Sequence, residues 1–328
     1  MNQSESWKPI SLKESIYQRA KFIQHIRSFF NKRQIMEVET PIINAFGVTE
    51  VHVENIPLSI GREKLWLRTS PEYHMKRLLA AGSGDIFQIG KCFRGRESGS
   101  KHQIEFTMVE WYRHEITFEE MYQECCQLIK ELSNYSDKPI KKIKVHSYAE
   151  SFKEHCHLDP MTADIKLLQS ASKRFLDSVT MKRLCEHSGE DREFWLDLIS
   201  SHLIHPALQP NEIHVITDYP STQAMLSRLK PGENNVSERF EIFLNGLELA
   251  NGFHELCDEK EQSRRFEEDR KKRRNLGLPD MAADPQLLDA LKSGLPDCCG
   301  VALGLDRLIM AILNHKRIEK TLTFTPGG

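Results

Sequence analysis

The 328 residues contain no apolar run near the ~18 residues that a membrane-spanning helix requires. The opening, MNQSESWKPISLKES, has no basic segment leading into an apolar one, so no secretory signal is expected. Neither Gly-x-Gly-x-x-Gly nor Gly-x-x-x-x-Gly-Lys-Ser/Thr occurs, which excludes the two common nucleotide-binding loops. The eight cysteines include no Cys-x-x-Cys, only the adjacent pairs Cys125–Cys126 and Cys298–Cys299. Free thiols in a reducing cytoplasm, without zinc, are therefore the expectation. A formal charge of −2 lacks the basic excess that announces a large tRNA- or duplex-binding surface. Repeats and low-complexity tracts are absent.

What is present has the balance of a globular protein, with 39% hydrophobic and 28% charged residues. Ser11 and Glu14 form a capping-box signal, and Leu12, Ile16, Ala20, Ile23 and Phe30 recur at helical spacing. IMEVETP (35–41) reads as a strand stopped by Pro41. KLWLRTSPE (64–72) reads as a strand entering a helix, with Ser70 as cap and Pro71 at the first helical position. Strands are expected over 85–94 and 105–113, and helices over about 118–133, 163–176 and 190–204. HVITDYP (214–220) is a further strand. The charged stretch 258–274 is either a solvated helix or a partner-binding patch. A buried-looking final helix follows Gly300 and Gly304. Strands broken by short helices, without regular βαβ alternation, point to an α+β fold with a mainly antiparallel sheet.

Four stretches could carry chemistry. In EFTMVEWY, alternation puts Phe106, Met108, Glu110 and Tyr112 on one strand face. An acid between aromatics there is either a solvent-facing edge pair or a pocket for an amino group. The loop RGRESGSKHQ gathers Arg94, Arg96, Lys101 and His102, donors suited to phosphate oxygens or simply to water. In FEIFLNGLELANGFHEL (240–256), a two-residue turn at Asn245-Gly246 sets Leu244 opposite Leu247 and Phe243 opposite Glu248. Glu241 and Glu248 then share a face as diagonal neighbours, roughly 7–8 Å apart. A divalent cation would relieve their repulsion, and Mg²⁺ suits such hard oxygen ligands; pairing of one carboxylate with Arg239, or exposure to solvent, is the other reading. In GVALGLDRLIM (300–310), Arg307 lies in the first turn of a helix, unfavourable for the dipole unless an anion is shared there.

Taken together these strings resemble the class II aminoacyl-tRNA synthetases. FFNKRQIMEVETP is similar to their motif 1, FRGRESGSKHQIEFTMVEWY to motif 2 and GVALGLDRL to motif 3. TSPEYHMKRLL and ELANGFHEL narrow the resemblance to the lysyl branch, over residues from about 12 to 326. It implies the class II catalytic fold as a single domain over 1–328, with a helical insertion around 155–210 and no anticodon-binding domain. It also implies a homodimer through motif 1. The position of Arg94 implies an α-phosphate clamp, and that of Arg307 a γ-phosphate contact; these two are the expected catalytic residues. Arg96, His102, Gln103, Phe106, Glu248, Leu249 and Gly304 would complete the ATP site, with Phe106 stacking on adenine. Glu241 and Glu248 would be the metal-associated carboxylates. Glu255 would pair with a substrate amino group, in a pocket with Ser70, Glu72, Glu110, Tyr112 and Ala302. Motif 2 departs from the usual Phe-Arg-Asn-Glu: it reads Phe93-Arg94-Gly95-Arg96, with Glu97 adjacent, and Ile104 replaces a usual proline.

Within the lysyl branch, His254 in NGFHEL and Ala302 in place of a glycine resemble truncated members that do not charge tRNA. Those members activate (R)-β-lysine with ATP and Mg²⁺ and attach it to a lysine side chain of elongation factor P. The resemblance implies that activity here, without stable tRNA binding. His254 is a candidate base for the acceptor amine. Charging of tRNA with α-lysine is the alternative, and a catalytically silent binding protein on the same fold is another.

Overall fold

The computed structural model describes residues 9 and 13–325. The chain divides into two compact units, Met1–Pro139 with His254–Gly328, and Ile140–Phe253. Among the described residues no helix is long and apolar enough to cross a membrane.

The first unit is built on the strands Ile86–Phe93, Glu105–His114 and Cys298–Gly304. They pair antiparallel, with Tyr112 opposite Ile86 on one side and Gly300 on the other. The short strand Met36–Glu37 joins the edge in parallel; it covers two residues of the expected 35–41 and ends at Glu37, so Pro41 is not what stops it. A smaller antiparallel sheet holds Ile43–Asn44, Glu63–Leu67 and Ile56–Ile60. Helix Phe118–Ser133 starts at a capping box, in which Thr117 Oγ1 accepts the Glu120 N–H and Glu120 Oε2 accepts the Thr117 N–H. Its Met121, Cys125, Leu128, Ile129 and Leu132 are buried, the stripe that the sequence periodicity predicts.

Two further expectations need correction in this unit, and another falls outside the described residues. The first helix runs Lys13–Asn31, and Ser11 and Leu12 lie outside the described residues. Its buried stripe is Phe22, Ile26, Phe29 and Phe30, whereas Ile16 is 39% exposed and Ala20 is exposed. The helix carries two apolar stripes, and packing of the aromatic one against Phe87 and Trp111 decides which faces inward. The second helix begins at Glu72 with Pro71 in the cap position, one residue later than expected. Ser70 still accepts the Glu72 N–H, at 3.3 Å, because a proline has no side-chain acceptor of its own.

The second unit pairs Leu247–His254 with Glu233–Leu244, that strand with Glu212–Pro220, and the last in parallel with Lys142–Ser147. Helices Tyr148–Cys156, Ile165–Ser172, Ser178–Ser188 and Arg192–Ile199 contribute Phe152, Leu168, Trp195 and Ile199 to a cluster that includes Phe243 of the sheet. The helix expected near 163–176 is shorter, Ile165–Ser172, whereas that expected near 190–204 runs as Arg192–Ile199 and continues as a π-helical turn over Ser200–Ile204. Tyr148–Cys156 and Ser178–Ser188 escape the sequence pattern.

The turn at Asn245-Gly246 has positive φ at both residues, 55° and 68°, as a two-residue hairpin turn of this kind demands. Leu244 faces Leu247 and Phe243 faces Glu248, as the sequence predicts. Between Ile242 and Phe243 the register then shifts, so that Ile242 pairs with Ala250 and Glu241 with Asn251. One extra residue on the return strand makes this a β-bulge, which simple alternation does not anticipate.

Candidate active site

In the first unit, directly opposed residues of antiparallel strands share a face. Tyr112 lies opposite Gly300, Glu110 opposite Ala302, and Met108 opposite Gly304. The G-x-A-x-G pattern of the last strand therefore sets three small residues beside the side chains of the central one. A Cβ on Gly300 would stand 2.3 Å from Tyr112 Cε1 and 2.4 Å from Glu255 Oε1. The missing side chain is what lets the tyrosine and the carboxylate meet.

Glu110 is only 2% exposed and Glu255 only 1%, so a solvent-facing edge pair is ruled out. Tyr112 donates to Glu110 Oε1 at 2.7 Å. Glu255 is held by its backbone N–H, which donates to Cys298 O at 3.0 Å. From the second helix, Lys76 reaches Glu72 Oε1 at 2.8 Å and Glu255 Oε2 at 2.6 Å. Glu110 Oε2 and Glu255 Oε1 are buried without a hydrogen-bond partner. Burial, followed by the charge of Glu72, pushes the Glu110 carboxyl up to about 8. Burial likewise raises Glu255 to about 7, against the opposing pull of Lys76. Buried acceptors left open and carboxyls held short of ionisation are the electrostatics of a site awaiting a cation. An ammonium with three donors fits those open oxygens.

The motif 2 residues lie in the same unit. Arg94 leaves the strand Ile86–Phe93 with its backbone N–H donating to Ile104 O at 3.0 Å, which closes the loop. Its guanidinium lies 5.3 Å from the centroid of Phe106 and 3.6 Å from Glu97, while its buried Nε has no hydrogen-bond partner. Glu97, beside the usual glutamate position, thus sits on the arginine. Arg96 points elsewhere: 83% exposed, it pairs with Glu54 at 2.7 Å. Its backbone has φ of 56°, and that left-handed turn carries the side chain away from Arg94. His102 pairs with Gly99 across the loop, and Gln103 follows it, half-buried. Gly304 precedes helix Leu305–Ile312 without a side-chain cap, and Arg307 is in its first turn. The adjoining Asp306 is buried, accepting from Arg19 at 2.5 Å and from the Thr107 N–H at 2.6 Å, which ties the helix start to the motif 2 strand.

Glu241 and Glu248 belong to the second unit. Arg239 binds Glu241 Oε1 at 2.5 Å and lies 4.3 Å from the centroid of the Tyr219 ring. Burial raises the Glu241 carboxyl to about 7; Arg239 opposes the rise and Glu248 adds to it. The two carboxylates therefore feel each other, as the hairpin implies, and the arginine pairing also exists. Among the described residues no group of three or more His, Cys, Asp or Glu is arranged to hold a metal. A carboxylate pair alone still fits Mg²⁺, which takes one or two carboxylates and completes its shell with water and phosphate oxygens. Leu249 is buried beside them.

Sequence reasoning misses Lys76, Gly300 and Asp297. Lys76 and Glu72 stand at i and i+4 on one helix face, a visible signal, but Glu255 comes from a distant part of the chain. Asp297 Oδ1 accepts from His254 Nε2 at 2.8 Å, so the imidazole of that candidate base is already engaged.

The family model for class II tRNA synthetases (D, K and N) matches residues 7–326. Curated relatives include "Elongation factor P--(R)-beta-lysine ligase" of Mannheimia succiniciproducens, 41% identical across 99% of this chain and 98% of the relative. Proteins of the same name from Pasteurella multocida and Haemophilus influenzae are 40% identical, again across 99% of this chain and 98% of theirs.

Proposed function

The chain belongs to the class II tRNA synthetase family of the D, K and N type, and from that premise we propose that it is an ATP-dependent ligase for (R)-β-lysine and elongation factor P. Identity of 40–41% along almost the whole of relatives bearing that name supports the reading. The observation that carries the substrate class is the cluster of buried Glu110 and Glu255 with half-buried Glu72, each with an open carboxylate oxygen. It suits ammonium groups and rejects neutral side chains, because an unpaired buried carboxylate is costly.

In the first step the β-lysine carboxylate attacks the α-phosphorus of ATP, forming the adenylate and releasing pyrophosphate. Arg94, its Nε open, would bind the α-phosphate, and Arg307 the γ-phosphate, stabilising the charge that builds in line. Phe106 would stack on adenine. His102, Gln103 and Gly304 would line the nucleotide, and Leu249 is assigned to it as well. Glu241 and Glu248 would hold Mg²⁺, which when bound neutralises phosphate charge. Glu110, Glu255 and Tyr112 would position the ammonium groups, together with Ser70 and Glu72. Positioning supplies much of the rate, since the carboxylate is already a competent nucleophile. In the second step the neutral ε-amine of an acceptor lysine attacks the activated carbonyl. An amide forms, AMP leaves, and the amine loses a proton.

Ala302, opposite Glu110, adds a methyl group where tRNA-charging relatives have glycine, and would favour the displaced amine of a β-amino acid. Arg96 is assigned to surface pairing with Glu54, with adenine contacts left to the other loop residues. A homodimer is supported by apolar side chains left exposed on the first unit: Ile16, Tyr17, Met36, Ile42 and Ile43. A shallow groove lined by Ala20, Ile23, Gln24 and Arg27 runs beside the outward stripe. The cytoplasm, which holds elongation factor P, is the proposed compartment.

The test is intact-mass measurement of elongation factor P after incubation with the protein, Mg-ATP and either lysine isomer. Addition of one lysyl residue, faster with (R)-β-lysine, is expected. Label reaching only tRNA, or no amino-acid-dependent pyrophosphate exchange at all, overturns the reading.

A further inference from the structure

Lys76 is 1% exposed, on the inner face of helix Glu72–Ala80, and although it lies within the string TSPEYHMKRLL it has no role assigned above. Its Nζ bridges Glu72, on the same helix, and Glu255, from the segment after the hairpin. The groups facing it are Glu72 from its own helix, Glu110 from the central strand, Glu255 after the hairpin and Cys298 from the last strand; Tyr112 bears on Glu110 and His254 on Glu255. An incoming ammonium favours ionisation of the carboxyls that burial holds protonated, and in that ligand-bound state three glutamates and one lysine leave two negative charges. A diamino acid brings two ammonium groups, and its own carboxylate is consumed at phosphorus. The counts match only if Lys76 is included.

A structural role alone explains this poorly. Removing charges from water costs more than a buried pair generally recovers, and apolar side chains of similar volume do as well or better for stability. Here the cluster also keeps a negative excess and open acceptors. We propose that Lys76 is a positioning residue for the amino-acid substrate: an internal counter-charge that fixes Glu72 and Glu255 and leaves the pocket two negative charges for a doubly cationic ligand. The proposal rests on the lysine-ligase reading above. Burial would lower the Lys76 ammonium's proton affinity, but Glu255 and Glu72 outweigh it and hold it above the ordinary lysine range. Lys76 therefore stays charged throughout the working pH range and does not itself act as a base.

The experiment is amino-acid-dependent ATP–pyrophosphate exchange by the full chain and by Lys76→Met and Lys76→Arg, from pH 6.5 to 9 as a range of roughly neutral conditions. Lys76→Met should raise KM for lysine about a hundredfold at neutral pH, the lower part of the range for breaking a buried ion pair, with kcat much less affected. Without the ammonium, Glu255 loses the charge that opposes its raised value, and its carboxyl ionises only at higher pH. The KM ratio to the unaltered protein should therefore shrink as pH rises, its midpoint displaced upward by about 1–3 units. Lys76→Arg, which keeps the charge, should retain the original midpoint. A Lys76→Met protein with the original KM–pH profile, or with kcat and KM impaired alike at every pH, overturns the proposal and leaves a structural lysine.

Should Lys76→Met fail to fold, competition on the unaltered protein decides. Pentane-1,5-diamine should inhibit exchange at least about tenfold more strongly than pentylamine, the worth of one further well-placed charge contact. Equal inhibition overturns the charge count. Failure of the unaltered protein to exchange with either lysine isomer would instead refute the ligase reading.

Discussion

Gly300→Ala adds one methyl group where the last strand passes Tyr112 and Glu255. Gly300 lies in a regular strand opposite Tyr112 and has no positive φ, so alanine brings no backbone strain. Its Cβ would stand 2.3 Å from the tyrosine ring and 2.4 Å from Glu255 Oε1, about 1 Å inside ordinary contact. Neither neighbour is a free chain end. The tyrosine is tied to Glu110 at 2.7 Å, and Glu255 to Lys76 at 2.6 Å. Overpacking of this kind costs ~1–3 kcal/mol of stability. The larger effect is on function, because a 1 Å misplacement of a positioning group can cost ~100-fold. Pyrophosphate exchange against amino-acid concentration should show KM raised by about that factor, and urea unfolding should show the smaller stability loss. KM within about threefold of the original, in a protein destabilised as expected, would refute the assignment of Glu255 and Tyr112 to the substrate.

Glu110→Gln tests the buried acid. The Glu110 carboxyl, ordinarily near 4.5, is raised to about 8, so the folded chain keeps a proton that the unfolded chain has released between those values. Its favourable contribution is present below pH 4.5 and lost as pH rises through about 8. The stability of Glu110→Gln relative to the unaltered protein should therefore increase with pH across that window, measured by urea titration; a flat difference contradicts the raised value. Glu248→Gln should abolish pyrophosphate exchange, and exchange at the original rate rejects the metal assignment. Arg96→Ala should leave KM for ATP within about threefold, as expected for a surface pair of little net worth; a much larger rise in that KM would put Arg96 back on the nucleotide. Ala302→Gly should move the isomer preference toward α-lysine by a factor in the range ~10–200, the reach of one methyl group; unchanged preference places the discrimination elsewhere.

Much of this was open to inspection in the amino-acid order because the signals are local. The helix expected over about 118–133 shows in its apolar periodicity, and it runs Phe118–Ser133. Asn245-Gly246 specifies its turn through φ alone. Period-two alternation put Glu110 and Tyr112 on one face, and the hydrogen bond between them shows it. What such signals leave out is which of two apolar stripes the first helix buries, since Phe30 meets Phe87 and Trp111 only when the sheet is assembled. Nor does alternation reveal a bulge, which is settled where both strands must satisfy neighbours.

The sequence by itself determined the family, the turn, the main strands and the carboxylates that matter, because each is written in residues close together or in an ordered set of strings. Tertiary structure alone decided the company those carboxylates keep. Lys76 meets Glu255 across the fold, Arg239 claims Glu241, and Arg96 turns to Glu54. Charge–charge energies depend on distance and burial, and neither quantity exists until the chain has closed on itself.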